Sequence, residues 1–355
     1  MDETKRDQFV ERLFNSGLAM MDMLTIHIGS RLGLYDALGA GEALTVEDVA
    51  ARSGVRERYA REWLEQQATT GILDADISSI PVRFLLSEEH REVLLDEVSL
   101  SYLAPMARML AAIAGQTPRL IDVFRDGGGL SWEAYGADVI EGQAQFNRPA
   151  FVHQLAQEWL PAIPSVHARL QQPDARIADI GCGVGWSTIA MAEGYAHATV
   201  DGFDLDDHSV RLAREEAARR DLSGRVAFNL TDISDGTVDG QYDLVTVFEA
   251  LHDMARPIEA LRSMRALCRD GGRVLVMDER VAPEFAGSGD DIERLMYGWS
   301  VLLCLTNSMA ETPSAATGTA IRESTVRAYA SDAGFSSVEA LGIENDFFRF
   351  YLLMP

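Results

Sequence analysis

Residues 178–188 of this chain read ADIGCGVGWST, and they are the most informative segment of the sequence. A short apolar strand leads into a turn with three glycines, and the residues after the turn begin a helix. Glycine lets a ligand approach the backbone closely, and the free N–H groups at a helix N-terminus bind polar ligand atoms. Asp179 precedes the turn, where its carboxylate either receives a ligand ammonium or orders the loop. The stretch therefore predicts a ligand site at the end of a strand.

Short apolar strands alternate with amphipathic helices from residue 171 onward. The predicted strands are 177–180, 198–203, 226–229, 244–248 and 274–277. Alternation of this kind is typical of the α/β class, with a doubly wound, Rossmann-like parallel sheet.

A second acid supports a nucleoside ligand. Asp204 lies 19 residues beyond Gly185, at the end of the next predicted strand, where a carboxylate can accept both ribose hydroxyls. The spacing of the loop is Gly-x-Gly-x-Gly and not Gly-x-Gly-x-x-Gly. The glycine that permits close helix packing over a dinucleotide pyrophosphate is therefore absent. The acid at position 179 also suits an amino-acid head group better than a diphosphate. A nicotinamide cofactor is therefore disfavoured.

Several segments after residue 170 together resemble class I S-adenosylmethionine-dependent methyltransferases. Residues 179–185 resemble the motif that cradles the methionine part of the cofactor, and 229–233 the segment that contacts adenine. Residues 242–253 resemble the fourth-strand motif that lines the methyl-transfer pocket, and 271–278 the fifth strand. The resemblance also implies a sixth strand at 334–339 and an antiparallel last strand at 347–353.

The resemblance implies S-adenosyl-L-methionine as cofactor and assigns its contacts. In the adenine segment, Asp232 would accept from the exocyclic amine and Ile233 would pack on the ring. The implied cofactor-binding residues are Asp179, Gly181, Cys182, Gly183, Gly185, Asp204, Leu205, Asp232, Ile233, Phe248 and Glu249.

The N-terminal part predicts a winged helix. Thr45 and Asp48 have the spacing of a capping box at a helix start, Gly54 ends that helix, and a second helix follows over 56–69. A strand is predicted over 82–86. Residues 41–95 carry 6 basic and 11 acidic residues, so we do not expect this module to read DNA.

A winged helix before this core resembles the small-molecule O-methyltransferases of the same architecture, whose N-terminal domain dimerises. The predicted domains are a helical winged-helix and dimerisation domain (1–95), a helical connector with substrate-pocket helices (96–170), and a methyltransferase domain (171–355) that contains a lid-like insertion (283–320). Met20 and Met21 lie in the apolar pattern of the long helix predicted over 9–40, which we interpret as core or dimer packing.

The same resemblance assigns catalytic residues. His252 and Asp253 match the His-Asp pair whose histidine is the general base of that group, and Asp278 matches the acid that orients it. The family's second orienting acid has no match within 318–323, and Met254 replaces its aromatic residue. The predicted acceptor contacts are Asn147, His153, Tyr297 and Trp299, and no metal is predicted.

Composition limits the partners. The 31 basic and 55 acidic residues give a net charge of −24, which repels nucleic acid. The three cysteines have the spacing of neither a disulfide framework nor a zinc site. Residues 1–9 lack a signal-peptide core, and no run of 18 uncharged apolar residues occurs, so we expect a cytoplasmic protein without a membrane partner.

The resulting hypothesis is a homodimeric methyltransferase that transfers a methyl group in line to a small molecule, with oxygen the favoured acceptor. Nitrogen or carbon acceptors are alternatives on the same fold. A ligand-sensing winged-helix transcription regulator, a nicotinamide oxidoreductase, and a cofactor-binding enzyme that catalyses a rearrangement or elimination remain open, because fold does not fix chemistry.

Overall fold

The structure is a computed structural model that describes residues 1–39 and 41–355. The chain divides into two compact units, 1–115 and 116–355. Among the described residues, no helix combines the length and the apolarity needed to cross a membrane. The three-part division predicted at residues 95 and 170 stays a prediction.

The first unit is mainly helical. Its elements in chain order are α1 (Glu3–Arg31), α2 (Leu34–Leu38), β1 (Leu44–Thr45), α3 (Val46–Ser53), α4 (Glu57–Thr69), β2 (Asp74–Asp76), β3 (Arg83–Leu85) and α5 (Glu88–Leu95), and α6 (Ala104–Asp126) contains the division between the units.

The predicted helix-turn-helix and wing are confirmed. The Thr45 hydroxyl accepts from the backbone N–H of Asp48, whose carboxylate accepts from the N–H of Thr45, so the capping box is complete. Gly54 ends α3 in the left-handed region, with φ 74°. The strands form an antiparallel sheet in the order β1-β3-β2. Apolar side chains from α2, α3, α4 and β3 form the core beneath it.

Helix α1 begins earlier than the predicted start at residue 9, because Asp2 caps it by accepting from the backbone N–H of Lys5. The apolar stripe of α1 is exposed: Phe9 by 57%, Leu13 by 56% and Met21 by 62%. Packing into the core of this unit therefore does not explain the stripe.

The second unit contains the large sheet. Its elements are α7 (Trp132–Tyr135), α8 (Ala137–Ala150), a π-helix (Phe151–Trp159), α9 (Pro164–Leu170), β4 (Arg176–Ile180), α10 (Trp186–Gly194), β5 (Thr199–Asp204), α11 (Asp207–Arg219), β6 (Val226–Leu230), β7 (Tyr242–Phe248), α12 (Pro257–Leu267), β8 (Cys268–Glu279), α13 (Asp291–Trp299), a second π-helix (Ser300–Cys304), α14 (Leu305–Ser308), α15 (Glu323–Asp332), β9 (Ser337–Ala340) and β10 (Phe348–Met354). Two short 3-10 helices lie at Ile233–Asp235 and Leu251–Asp253.

The predicted α/β fold is confirmed. The seven strands follow the order β6-β5-β4-β7-β8-β10-β9, and β4 to β8 are parallel. The last strand, β10, is antiparallel to both of its neighbours. Successive residues of each strand point to opposite faces, so Ile177 joins the core under α10 and α11 while Ala178 joins the core under α12 and α15.

Strand β8 starts six residues before the predicted position 274 because pairing with β7 continues across the glycines. Tyr242 pairs with Cys268 and Leu244 pairs with Arg273, so a bulge absorbs the extra residues. Gly271 has φ 80°, a conformation that glycine adopts without strain.

Candidate cofactor and acceptor site

A cavity of about 630 Å³ lies at the carboxyl ends of four neighbouring strands of the second unit. Its lining includes the residues at or just after the ends of β6, β5, β4 and β7. The chain runs outward in opposite directions from β4 and from β7, so the cavity lies at the switch point of the sheet. Open α/β sheets bind their ligands at such points.

The glycine loop forms one wall of this cavity. Gly181, Cys182 and Gly183 line it, and the backbone N–H groups of Gly181 and Cys182 donate to the carbonyl of Phe203 at 2.8 and 3.2 Å. A Cβ atom at position 181 would lie 2.6 Å from the Cβ of Ala250. The loop therefore needs glycine there to pack against the residues that follow β7.

Gly185 has a structural role at the start of α10. It is the N-cap of α10 with φ 85°, and a Cβ atom there would lie 2.5 Å from Cζ of Phe228. Gly185 is not among the residues that line the cavity.

Asp179 lies beneath the loop, 1% exposed and outside the cavity lining. Its carboxylate accepts from the hydroxyls of Ser187 and Thr188 at 2.6 Å and from that of Thr246 at 2.7 Å. Burial raises the pKa of Asp179, although the three hydroxyls lower it. Of the two roles that the sequence left open, these contacts favour ordering the loop.

Asp204 lines the cavity at the end of β5. Its Oδ2 accepts from the N–H of Gly183 at 2.8 Å, and its Oδ1 accepts from the N–H of Asp206 at 2.9 Å. Burial raises the pKa of Asp204 to about 6. Each carboxylate oxygen has a second lone pair, so Asp204 can still accept from a diol. Leu205 lies beside it and is 61% exposed.

Asp232 lines the far end of the cavity and also caps a short helix. Its Oδ1 accepts from the N–H and the hydroxyl of Ser234, and Arg256 donates to its Oδ2 at 2.7 Å. Burial alone raises the pKa of Asp232, but these hydrogen bonds outweigh it and lower the pKa. Ile233 is buried and faces the same cavity.

His252 and Asp278, the two residues predicted to be catalytic, are buried and do not line the cavity. Nδ1 of His252 lies 2.5 Å from Oδ1 of Asp278, and Nε2 of His252 lies 3.5 Å from Oδ1 of Asp253. Burial lowers the pKa of His252, but Asp278 and Asp253 outweigh it and hold the pKa well above its usual value. Cys304, from the second π-helix, also contacts the imidazole. Of these residues, Asp253 alone lines the cavity.

Glu249 lines the cavity directly after β7, next to Phe248. Its φ of 50° lies in the left-handed region, which is uncommon for glutamate. The side-chain amides of Asn147 and Gln143 donate to its Oε2, Gln143 at 3.3 Å. Burial raises the pKa of Glu249 to about 7.

The structure separates the predicted acceptor contacts. Asn147 lines the cavity, whereas His153, Tyr297 and Trp299 are outside its lining. Helix α13 brings the Tyr297 hydroxyl to Arg322 instead, at 2.9 Å. The roles of all four residues stay predictions.

Sequence reasoning missed several of the residues that line the cavity. Gln143 and Asn147 are four residues apart on α8 and share one helix face, and this spacing was a usable signal. The lining residues not predicted as contacts include Trp132, Glu133, Ile140, Gln143 and Glu311.

Comparison with known proteins supports the interpretation of both units. Residues 171–321 match the family described as "Methyltransferase domain", and residues 19–99 match the family described as "Rv2258c-like winged HTH domain". A curated relative, 27-O-demethylrifamycin SV methyltransferase of Amycolatopsis mediterranei (strain S699), is 32% identical over 121 residues, which are 34% of this chain and 44% of the relative. The chain spans about half or less of the length of the curated relatives it matches.

Solved structures share the fold over nearly the whole chain. The mitomycin 7-O-methyltransferase MmcR is 19% identical, with a TM-score of 0.70 over 99% of this chain and 100% of the other. Human N-acetylserotonin methyltransferase, solved in complex with S-adenosylmethionine, is 17% identical, with a TM-score of 0.68 over 97% of each chain. The chain thus joins an N-terminal winged helix-turn-helix domain to a methyltransferase domain of Rossmann-like fold.

Proposed function

We propose that this chain is an S-adenosylmethionine-dependent methyltransferase that acts on a small-molecule acceptor, with oxygen the favoured methyl acceptor. The observation that carries the proposal is the order of polar groups along one sheet edge. Asp232, Asp204 and the glycine loop follow β6, β5 and β4, and all of them line one cavity.

The described residues fit the cofactor. Asp204 would accept from the ribose hydroxyls, Asp232 and Ile233 would hold the adenine, and the backbone at 181–183 would face the methionine part. The cavity volume is within the range of small-molecule sites, roughly 300–1,000 Å³. When bound, the cofactor supplies a methyl group already activated by positively charged sulfur, so the remaining task of the chain is to position the acceptor and to take its proton.

The His252–Asp278 pair is the acid–base candidate that the family resemblance supplies. In this structure a proton route from the cavity to His252 would pass through Asp253, which lines the cavity and lies 3.5 Å from Nε2 of His252. The pair also holds the 3-10 helix after β7 against β8, because Asp278 accepts from the backbone N–H of His252 at 3.3 Å.

The proposal includes a homodimer formed through α1. Helix α1 exposes several large apolar side chains: Phe9, Val10, Leu13, Phe14, Leu18, Met20, Met21 and Ile28. A contiguous apolar stripe of this kind usually marks a protein interface. A cytoplasmic location remains an expectation from the sequence.

Calorimetric titration of the purified protein with S-adenosylhomocysteine tests the proposal, with reduced nicotinamide cofactor as the comparison. We expect S-adenosylhomocysteine to bind and the reduced nicotinamide cofactor not to bind. Methyl transfer from radiolabelled S-adenosylmethionine to panels of phenols, carboxylic acids and amines then identifies the acceptor class. Binding of nicotinamide alone would contradict the proposal.

Two rival functions need their own measurements. Salt-dependent binding to duplex DNA would support a transcription regulator, whereas the acidic charge of the winged-helix domain predicts none. Conversion of a substrate without gain of the labelled methyl group would indicate a rearrangement or elimination on the same fold.

A further inference from the structure

The spacing of the strand ends along this sheet edge indicates how the parts of the cofactor would lie in the cavity. Neighbouring strands are about 4.8 Å apart, so the ends of β6, β5, β4 and β7 span roughly 14 Å. In the proposed function the adenine, the ribose and the methionine part follow β6, β5 and β4 in that order. The next strand end is that of β7, where Glu249 lines the cavity. Glu249 would therefore lie beside the methionine part, which contains the sulfur that carries the methyl group.

Glu249 is held in a defined position. Its backbone N–H donates to the carbonyl of Met277 at 2.9 Å, while its φ of 50° turns the chain sharply out of β7. Such a conformation is unfavourable for a residue with a Cβ atom and persists only where the surroundings impose it. Strain of this kind is concentrated at functional sites.

Two amides hold the carboxylate itself. Asn147 and Gln143 on α8 both donate to Oε2 of Glu249, and Gln143 also donates to Oδ1 of Asn147 at 3.3 Å. Both donors are uncharged, so they orient the carboxylate without neutralising it. Oε1 of Glu249 is left for another donor by these contacts.

His252, the alternative base, is less accessible from the cavity than Glu249. His252 is 2% exposed and does not line the cavity, and its Nδ1 bonds to Asp278. Its Nε2 faces Asp253 and the thiol of Cys304. An acceptor in the cavity would meet Glu249 or Asp253 before it met the imidazole.

We infer that Glu249 is a catalytic residue whose carboxylate lies at the point of methyl transfer and accepts the proton of the acceptor hydroxyl, with Asn147 and Gln143 as its positioning residues. The inference rests on the proposed function. As the acceptor oxygen bonds to the methyl carbon, its O–H bond breaks and the proton moves to Glu249. The carbon–sulfur bond breaks and its electron pair stays on sulfur, which becomes a neutral thioether.

The protonation of Glu249 suits this role. Burial raises its pKa to about 7, the Asn147 amide and the charge of His252 lower it, and the charge of Asp278 raises it again. Glu279, which is also buried, interacts with Glu249 electrostatically. A general base is most effective when its pKa lies near the working pH.

A cofactor analogue tests the position of Glu249 without knowledge of the acceptor. Sinefungin carries an ammonium group where the cofactor carries its methyl group, whereas S-adenosylhomocysteine carries neither. We expect the wild type to bind sinefungin more tightly than S-adenosylhomocysteine, with a preference that rises as the pH increases through about 7. In Glu249→Gln the preference should fall about tenfold or more, the usual effect of losing a charge-assisted hydrogen bond.

Glu284→Gln is the matched control, because it removes an exposed carboxylate that does not line the cavity and should keep the preference. Asn147→Leu keeps the carboxylate but removes a donor, and it should reduce the preference in part. Binding of S-adenosylhomocysteine reports folding in every variant. An unchanged preference in both Glu249→Gln and Asn147→Leu would overturn the inference, whereas failure of the wild type to bind S-adenosylhomocysteine would overturn the proposed function instead.

Turnover separates the two bases once an accepted phenol or alcohol is in hand. Glu249→Gln should lower kcat about 100-fold or more and abolish the rise of kcat with pH near 7. His252→Gln should retain that rise. A pH profile lost in His252→Gln and retained in Glu249→Gln would assign the base to His252.

Discussion

Nδ1 of His252 and Oδ1 of Asp278 lie 2.5 Å apart, and neither side chain is more than 3% exposed. The pair joins the 3-10 helix after β7 to the end of β8. A buried ion pair stabilises a fold weakly by itself, but removal of one partner leaves an uncompensated charge in the interior.

Asp278→Asn should therefore lower the free energy of unfolding by about 3–5 kcal/mol at pH 6. The folded-state pKa of His252 is raised, so its contribution is complete below the unfolded-state pKa and is lost as the pH rises through the folded-state value. The penalty should accordingly shrink at alkaline pH. Denaturant unfolding at several pH values measures this loss of unfolding free energy, and Asp270→Asn, at an exposed position, is the control. Equal stability of Asp278→Asn and the wild type would contradict the prediction.

Asp204→Ala should weaken S-adenosylhomocysteine binding by about 1–3 kcal/mol, because the ribose loses a charged acceptor. Wild-type affinity should decrease as the pH falls below about 6, where Asp204 takes up a proton. Titration calorimetry across this range measures both effects, and Asp204→Ala should show a flatter pH dependence. Equal affinities of mutant and wild type would exclude Asp204 as a ribose contact.

Two glycines of the loop should respond differently to alanine. Both have positive φ, 52° at Gly183 and 85° at Gly185, so each alanine adds backbone strain of about 1–2 kcal/mol. A Cβ at position 183 meets no atom within 4 Å, whereas one at 185 meets Phe228 at 2.5 Å. Gly185→Ala should cost a further 1–3 kcal/mol or so from overpacking. Thermal and denaturant unfolding compare the two variants, and equal losses would argue against the contact with Phe228.

The exposed apolar stripe of α1 should form the dimer interface. Light scattering of the wild type should give twice 39.0 kDa, and the double variant Leu13→Glu, Met21→Glu should give 39.0 kDa. Two charges in an apolar interface leave buried groups without partners, which disfavours association. Glu11→Gln, on the same helix, is the control and should stay dimeric. A monomeric wild type would refute the homodimer.

Local sequence patterns were sufficient to predict much of the fold. The capping box at Thr45 and Asp48 and the apolar strands around the glycine loop depend on neighbours in sequence or on burial of whole segments, and the structure confirms them. Asp204 was predicted from its position at the end of the strand after the glycine loop, and Asp232 from the resemblance of residues 229–233 to the family's adenine segment. Both residues line the cavity.

Features that depend on distant packing were not predictable. The inward direction of Asp179 depends on Thr246 from the neighbouring strand, and the burial of His252 depends on Cys304 from a segment some fifty residues later. Glu249 was expected among the cofactor contacts, but its two amide donors come from α8, a hundred residues earlier in the chain.

The cavity has two walls of different origin, which makes the protein modular. The proposed cofactor contacts come from strand ends of a seven-stranded sheet, whereas many of the other lining residues come from 131–147 and 307–311. Under the proposed function, exchange of these two segments between relatives should alter the choice of acceptor and leave the strand ends in place. Chimeras designed at these boundaries offer a route to new acceptor specificity on an unchanged cofactor platform.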